Sequence, residues 1–334
     1  MWRKFSANWT VPLASRARIR NVCRDMDEFR SGFVALAGLP NVGKSTLMNA
    51  LLGKKVSITT SRPQTTRNRI VGVHTLGGRG QLIYVDTPGL HKPHKELNAV
   101  MVETAMNAIA STDLVLFIVD ASAFWFAEGE VARATVAVAE QIKSTRLPVV
   151  IAINKLDRLS RPALALPMIE ACQGLGGLEP LQVVPISALE GNNLEELVAV
   201  LLGHLPEGPQ LYPEDMITDQ AERFIASEFV REKLTLQTRR ELPYSSAVTI
   251  SEFVDDTRND LLRIRAVVHV ERQSQKGIVI GKQGSRLKQI GSQARRDLEA
   301  FFGKQVFLEI HVTVDKGWAA DREALKRLGY GNEE

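Results

Sequence analysis

The stretch Gly38-Leu39-Pro40-Asn41-Val42-Gly43-Lys44-Ser45-Thr46 sets a glycine-bounded turn, a lysine and two hydroxyls in the order G-x-x-x-x-G-K-[ST]. That order suits the capture of a polyphosphate. Glycines at both ends let backbone amides close on an anion without interference from a Cβ, Lys44 offers a cation to β- and γ-phosphate oxygens, and the Ser45 hydroxyl suits Mg2+. Further along lies Asp86-Thr87-Pro88-Gly89. Its carboxylate can hold Mg2+ through water, and Gly89 can turn a backbone N–H to a γ-phosphate. In Asn154-Lys155-Leu156-Asp157, the Asp157 carboxylate can accept from the ring N–H and exocyclic amine of guanine together, a donor pair that adenine lacks. Lys155 can lay its stem over the base, and Asn154 can tie this loop to the phosphate loop. The backbone N–H groups of Ser187-Ala188-Leu189 suit the guanine carbonyl. Between the first two motifs, the polar run 61–69 holds Thr65 and Thr66, and either hydroxyl qualifies to reach Mg2+ and the γ-phosphate.

Apolar runs must position these groups. Residues 33–37, 82–85, 114–119, 149–153 and 181–186 read as buried strands, and each motif sits at or just beyond the carboxyl end of one. The phosphate turn is followed by helical composition over 45–52, stopping at Gly53, so its amides and a helix N-terminus converge on one anion. Residues 70–75 read as a further strand and 131–142 as an amphipathic helix; Trp125 and Phe126 read as buried packing. The fold class expected is α/β, a doubly wound domain with a mainly parallel sheet over 32–205. After Asp-x-x-Gly stands Leu90, where Ras-like enzymes carry a water-orienting glutamine. An apolar side chain cannot align a water, so slow intrinsic hydrolysis is expected, its catalytic group coming from elsewhere in the chain, a cation or a partner.

A chain of 334 residues with 44% hydrophobic content can bury two domains' worth of core. No apolar run approaches the roughly 18 residues that span a bilayer. Cys23 and Cys172 form neither a metal-ligand cluster nor a disulfide framework, which fits a reducing, cytoplasmic compartment. The net charge of +4 is misleading as a global value, because residues 1–25 carry six basic side chains against Asp25 alone. Any nucleic-acid signal must therefore be local. Residues 1–31 read as a leader: a disordered extension, a start placed too far upstream before Met26, or an organellar transit peptide, in which case the location would be an organellar matrix.

Three prolines and a glycine within 205–213 mark a linker, placed at 206–217. A smaller α+β domain is expected over 218–320, with a tail over 321–334. Its helix is read over 218–234 with Ala221, Ile225, Phe229 and Leu236 on one stripe. Strands follow at 246–254 and 261–270, then a helix over 285–302 and a strand at 305–314. Ahead of that helix, Ile278-Val279-Ile280-Gly281-Lys282-Gln283-Gly284 joins an apolar floor for bases to a Gly-x-x-Gly turn. This resembles the KH module, which clamps about four nucleotides of single-stranded RNA. Between Arg272 and Arg296 stand seven basic residues and no acid, with Lys276, Lys282, Arg286, Lys288, Arg295 and Arg296 flanking the turn. Docking a protein partner is the competing reading of this domain.

From Met26 onward the chain resembles the Era family of ribosome-assembly GTPases. The resemblance rests on the phosphate loop, Gln64-Thr65-Thr66-Arg67, Asp-Thr-Pro-Gly-Leu, Asn-Lys-Leu-Asp, Leu-Pro-Glu-Gly-Pro, Arg231-Glu232-Lys233, Glu241-Leu242-Pro243-Tyr244 and Ile280-Gly281-Lys282. It implies a GTP-hydrolysing protein using GTP/GDP and Mg2+, with a type II KH domain that holds the 3′ end of small-subunit ribosomal RNA during 30S assembly. It also implies a monomer with a peripheral, inner-face membrane fraction. Among the two threonines it favours Thr66 as the switch residue, giving Lys44, Thr66, Asp86 and Gly89 the catalytic roles and Ser45, Thr66 and Asp86 the metal. Gln283 departs from the family's usual Gly-Lys-Gly-Gly.

Overall fold

The computed structural model describes residues 29–90, 96–124, 132–159, 164–238 and 242–330. The leader before Phe29, and Trp125 and Phe126, lie outside these residues. Strand β1 (Arg30–Ala37) runs through the phosphate loop into helix α1 (Lys44–Leu52). There follow β2 (Ile70–Thr75), β3 (Gly80–Asp86), α2 (Glu96–Ala110), β4 (Leu114–Asp120), α3 (Arg133–Ser144), β5 (Val149–Asn154), α4 (Ala165–Cys172), β6 (Gln182–Pro185) and α5 (Leu194–His204). The sheet order is β2-β3-β1-β4-β5-β6, parallel throughout except for the antiparallel edge pair β2–β3.

The strands read as near-continuous apolar runs because both faces of the sheet are covered. Val34, Leu36, Leu82, Tyr84, Leu116 and Val150 point to one side, onto Leu47 and Met48 of α1 and Leu197 and Leu201 of α5. Ala35, Ala37, Val115, Phe117, Ile151 and Ile153, the alternate residues, pack on Ala105 and Ile109 of α2, Val138 and Ile142 of α3, and Cys172 of α4. Burial raises the Cys172 thiol to about 12, so it is an inert core group.

The second unit comprises α6 (Glu222–Gln237), β7 (Ser246–Asp256), β8 (Leu261–Val270), α7 (Gln273–Ile280), α8 (Ser285–Phe302) and β9 (Gln305–Val314). Its sheet is β7-β8-β9, with β7 antiparallel and β9 parallel to the central β8. The α-β-β-α-α-β order is that expected of a type II KH fold.

The first helix of this unit starts four residues later than the sequence suggests. Thr218 Oγ1 donates to the Val71 carbonyl at 2.6 Å, and Val73 N donates to the Ile217 carbonyl at 2.7 Å, so residues 217–218 lie along the open edge of β2 instead. The helix is buried on two faces, Ile225 and Phe229 in one cluster and Val230 and Leu234 in another, while Ala221 and Leu236, the latter 49% exposed, lie off both. The proline-rich connection is fastened by the buried Gln81, whose Oε1 accepts from Leu211 N and Tyr212 N and whose amide donates to the Tyr212 carbonyl.

Residues 321–334, read as a tail, contain the short helix α9 (Arg322–Arg327). Trp318, Leu325, Leu328 and Tyr330 bury themselves against Leu97, Val100 and Met101 of α2. Full burial of each large apolar side chain contributes roughly 1.5–3 kcal/mol, so residues 318–330 are a packed part of the fold.

Candidate nucleotide site and nucleic-acid interface

The turn from β1 into α1 is shaped by its neighbours. A Cβ on Gly38 (φ +150°) would stand 2.5 Å from the Ile118 carbonyl oxygen, and one on Gly43 (φ +102°) 2.4 Å from Asn154 Nδ2. Asn154 reaches across from the end of β5: its Nδ2 donates to the Val42 carbonyl at 2.8 Å and its Oδ1 accepts from Ala188 N at 2.9 Å. One side chain thus fixes the phosphate loop and the base loop to each other.

Lys44 is buried, its Nζ donating to the carbonyls of Gly38 and Leu39. Burial lowers its pKa to about 8, against the pull of the Asp86 carboxylate. Asp86 moves the other way for the same reason: burial raises its pKa, opposed by Lys44 and by the hydroxyls of Ser45, Ser57 and Thr66. For both partners desolvation outweighs attraction.

Three hydroxyls meet Asp86 Oδ2: Ser45 at 2.6 Å, Ser57 at 2.8 Å and Thr66 at 3.4 Å, with Ser45 and Thr66 oxygens 2.9 Å apart. Asp86 Oδ1 is buried with no hydrogen-bond partner among the described residues. A buried carboxylate oxygen left unpaired is costly, and hard oxygens converging beside it are the donor set of Mg2+. The residues therefore fit the metal.

The geometry also separates the two threonines. Both line the site's cavity, but Thr65 Oγ1 is engaged with Thr60 Oγ1 and the Arg62 carbonyl, whereas Thr66 Oγ1 meets Ser45 and Asp86. A cavity of about 430 Å3 opens over Pro40, Asn41, Gly43, Lys44, Ser45, Thr46, Thr66 and Gly89, reaching Lys155 and Arg158. It is the phosphate end of the site. Gly89 lies tight against it, since a Cβ there would be 2.7 Å from Pro40 N.

Beyond its rim, Ser187 Oγ donates to Asp157 Oδ1 at 2.6 Å, aiming the carboxylate that would read guanine. Lys155 takes a left-handed conformation (φ 69°) and pairs with Asp120 at 2.6 Å. Two expected contributions change. Ser187 N donates to the Asn192 carbonyl and Ala188 N to Asn154, so of the three amides in that loop only Leu189 N has no such partner among the described residues. Leu90 is fully buried in the core, and its N–H donates to the Gly38 carbonyl. It serves the loop's shape and offers nothing to nucleotide or water. The buried Leu156 and Thr87 are likewise structural, Thr87 Oγ1 donating to the Leu36 carbonyl.

The sequence names Arg67, Arg231 and Glu232 only as motif residues and gives no sign that they join this site to the second unit. Arg67, next to Thr66, is 3% exposed and donates to the carbonyls of Pro243 and Ser246 and to the Tyr330 hydroxyl. Arg231 of α6, paired with Glu228, donates to the Thr65 carbonyl, and Glu232 accepts from Thr59 N at 3.0 Å while pairing with Lys55. Ile58 packs among Ile225, Phe229, Ile264 and Leu298. The whole polar loop 59–69 is thus clasped by the second unit.

On that unit, α7 and α8 meet at Gly281, Lys282, Gln283 and Gly284. Gly281 (φ +73°) passes so close to α8 that a Cβ would lie 2.8 Å from Arg286 Cβ; Gly284 (φ +76°) heads α8 with open space around it. Gln283 is held at φ 50°, a region that glycine enters without cost and glutamine does not. Arg286 donates to the Ile278 carbonyl, bracing the turn. Arg295 stands 3.7 Å from Glu299, while Lys276, Lys282, Lys288 and Arg296 make no ion pair among the described residues. The apolar floor is narrower than expected: Val279 turns fully into the core, leaving Ile278, 45% exposed, and the half-buried Ile280.

Comparison with known proteins bears on both sites. A family model described as 50S ribosome-binding GTPase matches residues 33–155, and a KH-domain model matches residues 241–319. GTPase Era of Syntrophus aciditrophicus is 44% identical over 302 residues, covering 90% of this chain and 95% of that one. GTPase Era of Pseudomonas syringae pv. tomato is 46% identical over 309 residues, 92% of this chain and 99% of the relative. Two solved structures superpose with a TM-score of 0.85 at 42% identity, each covering 91% of this chain and 100% of the other. One is an Era variant from Aquifex aeolicus bound to GDP and AlF4−; the other is Era with MgGDPNP and nucleotides 1506–1542 of 16S ribosomal RNA.

Proposed function

Because the chain belongs to the Era family of GTPases, we propose that it is a nucleotide-gated holder of the 3′ end of small-subunit ribosomal RNA, acting in 30S maturation. GTP enters at the carboxyl ends of β1, β3 and β5. Gly38 to Thr46 wrap the phosphates, Asp157 and the Leu189 amide read guanine, and Lys155 covers the base. Ser45, Thr66 and Asp86 would hold Mg2+, which when bound neutralises charge on the β- and γ-phosphate oxygens. Lys44 adds a second cation there. With Leu90 sealed in the core, the residue directly after Asp-x-x-Gly cannot orient the attacking water, so slow hydrolysis is expected of the unaided protein.

The observation that carries the reading is the adjacency of Thr66 and Arg67. Thr66 faces the metal ligands, and the next residue grips the RNA unit at three points. A γ-phosphate that holds Thr66 therefore fixes Arg67 and the posture of the KH turn. The RNA would lie along Lys276, Ile280, Gly281, Lys282, Gln283, Gly284, Arg286, Lys288, Arg295 and Arg296. The protein acts as a monomer in this reading, with a peripheral membrane contact. Among the described residues no helix is long and apolar enough to cross a membrane.

Filter binding with a 16S ribosomal RNA 3′ fragment tests the RNA half. Gly281→Asp with Gly284→Asp should abolish binding, and wild-type binding should weaken steeply with salt. Undiminished binding by the double variant, or binding indifferent to salt, would instead favour a protein-docking role for this unit.

A further inference from the structure

Ser57 is a fully buried serine in the loop after α1, outside the cavity lining, and no sequence motif includes it. Its hydroxyl donates to Asp86 Oδ2 at 2.8 Å, the same oxygen that meets Ser45 and Thr66. The three hydroxyls differ in what else they can do. Ser45 and Thr66 line the cavity and can turn lone pairs to a cation, whereas Ser57 cannot reach it. Its bond to Asp86 can serve only to fix how the carboxylate is rotated, and the consequence of that rotation is the unpaired Oδ1.

Ser57 is in turn held by Asn49. Asn49 Oδ1 accepts from Val56 N and Ser57 N, both at 2.9 Å, and its Nδ2 donates to the Ser57 carbonyl at 2.7 Å. Asn49 lies four residues after Ser45 on α1, one turn along the same face. A single helix therefore presents the metal's hydroxyl ligand at one turn and, at the next, the side chain that sets its carboxylate partner.

We infer that Asn49 and Ser57 are positioning residues for Mg2+: Asn49 pins the backbone of Ser57, and the Ser57 hydroxyl locks the Asp86 carboxylate with one oxygen turned to the metal. Groups that orient a ligand without touching the ion commonly govern metal affinity by 10-fold or more, on the order of the ligands' own bonds. The assignment rests on the nucleotide and metal reading above.

The test measures the release of the fluorescent nucleotide mant-GDP from the full chain across a Mg2+ titration and in EDTA. Ser57→Ala removes one buried hydroxyl and leaves no donor unpaired; the Mg2+ concentration that half-maximally slows release should rise about tenfold. Asn49→Ala leaves Val56 N, Ser57 N and the Ser57 carbonyl without their side-chain partner and frees the Ser57 backbone, so it should raise the midpoint at least about threefold. Release in EDTA should match wild type for both, a separation that a general loosening of the fold would not give. An unchanged Mg2+ midpoint in both variants, or release accelerated equally with and without Mg2+, overturns the assignment. Should unaltered protein release mant-GDP at one rate at every Mg2+ concentration, the metal reading itself fails, which is a distinguishable result.

Discussion

The molecule carries two glycine turns that lead into helices, Gly38–Ser45 and Gly281–Gly284, and they are held in different ways. The first is fixed from outside. Ile118 and Asn154 press on Gly38 and Gly43, where a Cβ would collide, and the buried Lys44 stands within it near the buried Asp86 carboxylate. The second is fixed mainly by its own backbone: Gly281 nestles against Arg286, Gly284 faces open space, and Lys282, Lys288 and Arg296 nearby are exposed with no ion pair among the described residues. A site that must discriminate one base and one metal is over-determined. A site that takes a flexible polyanion needs only a bend and a field.

Alanine at corresponding glycines breaks or supports that contrast most strongly. Gly43→Ala drives a methyl into Asn154 and displaces it from both Val42 and Ala188; loss of two buried bonds predicts nucleotide affinity reduced by about a hundredfold by calorimetry. Gly284→Ala should cost about 1 kcal/mol of stability through its φ alone, with RNA binding retained in filter assays. Equal damage from both would erase the distinction.

The enclosed site should also titrate. The Lys44 ammonium is held down to about 8 by burial, and a polyphosphate beside it would push it back up. Above about pH 8 the free protein has released this proton and must regain it on binding. GDP affinity should then fall as pH rises beyond 8, by up to about tenfold per unit, and stay flat just below it. Lys288→Ala should instead lower RNA affinity about equally for all sequences and reduce the salt slope by about 1. The smallest effect expected is at Gln283: Gln283→Gly removes a left-handed glutamine (φ 50°) and should stabilise the protein by about 1 kcal/mol or less in urea unfolding.

The sheet was legible because covered strands leave unbroken apolar runs, and the motifs because each closes one of those runs. The same logic failed where a contact lies far off in sequence. Nothing local marks Arg67 for Tyr330, 263 residues away, or Ser57 for Asp86. The helix read from residue 218 was misplaced because Thr218 was claimed by an edge strand, and Val279 looked like part of a base-binding floor because an apolar triplet does not reveal which member faces the core. Thr65 and Thr66 were equivalent as residue types, and only the inward bonds of Thr65 distinguish them.

The two turns are joined in this account by Arg67. The direct test is the dissociation constant for a 16S ribosomal RNA 3′ fragment, measured with GDPNP and with GDP, in wild type and in Arg67→Ala. The account predicts that the two nucleotides give different constants in wild type and that they converge in Arg67→Ala, whose Pro243, Ser246 and Tyr330 partners lose their donor. Identical constants in wild type, or a difference that survives in Arg67→Ala, would contradict it.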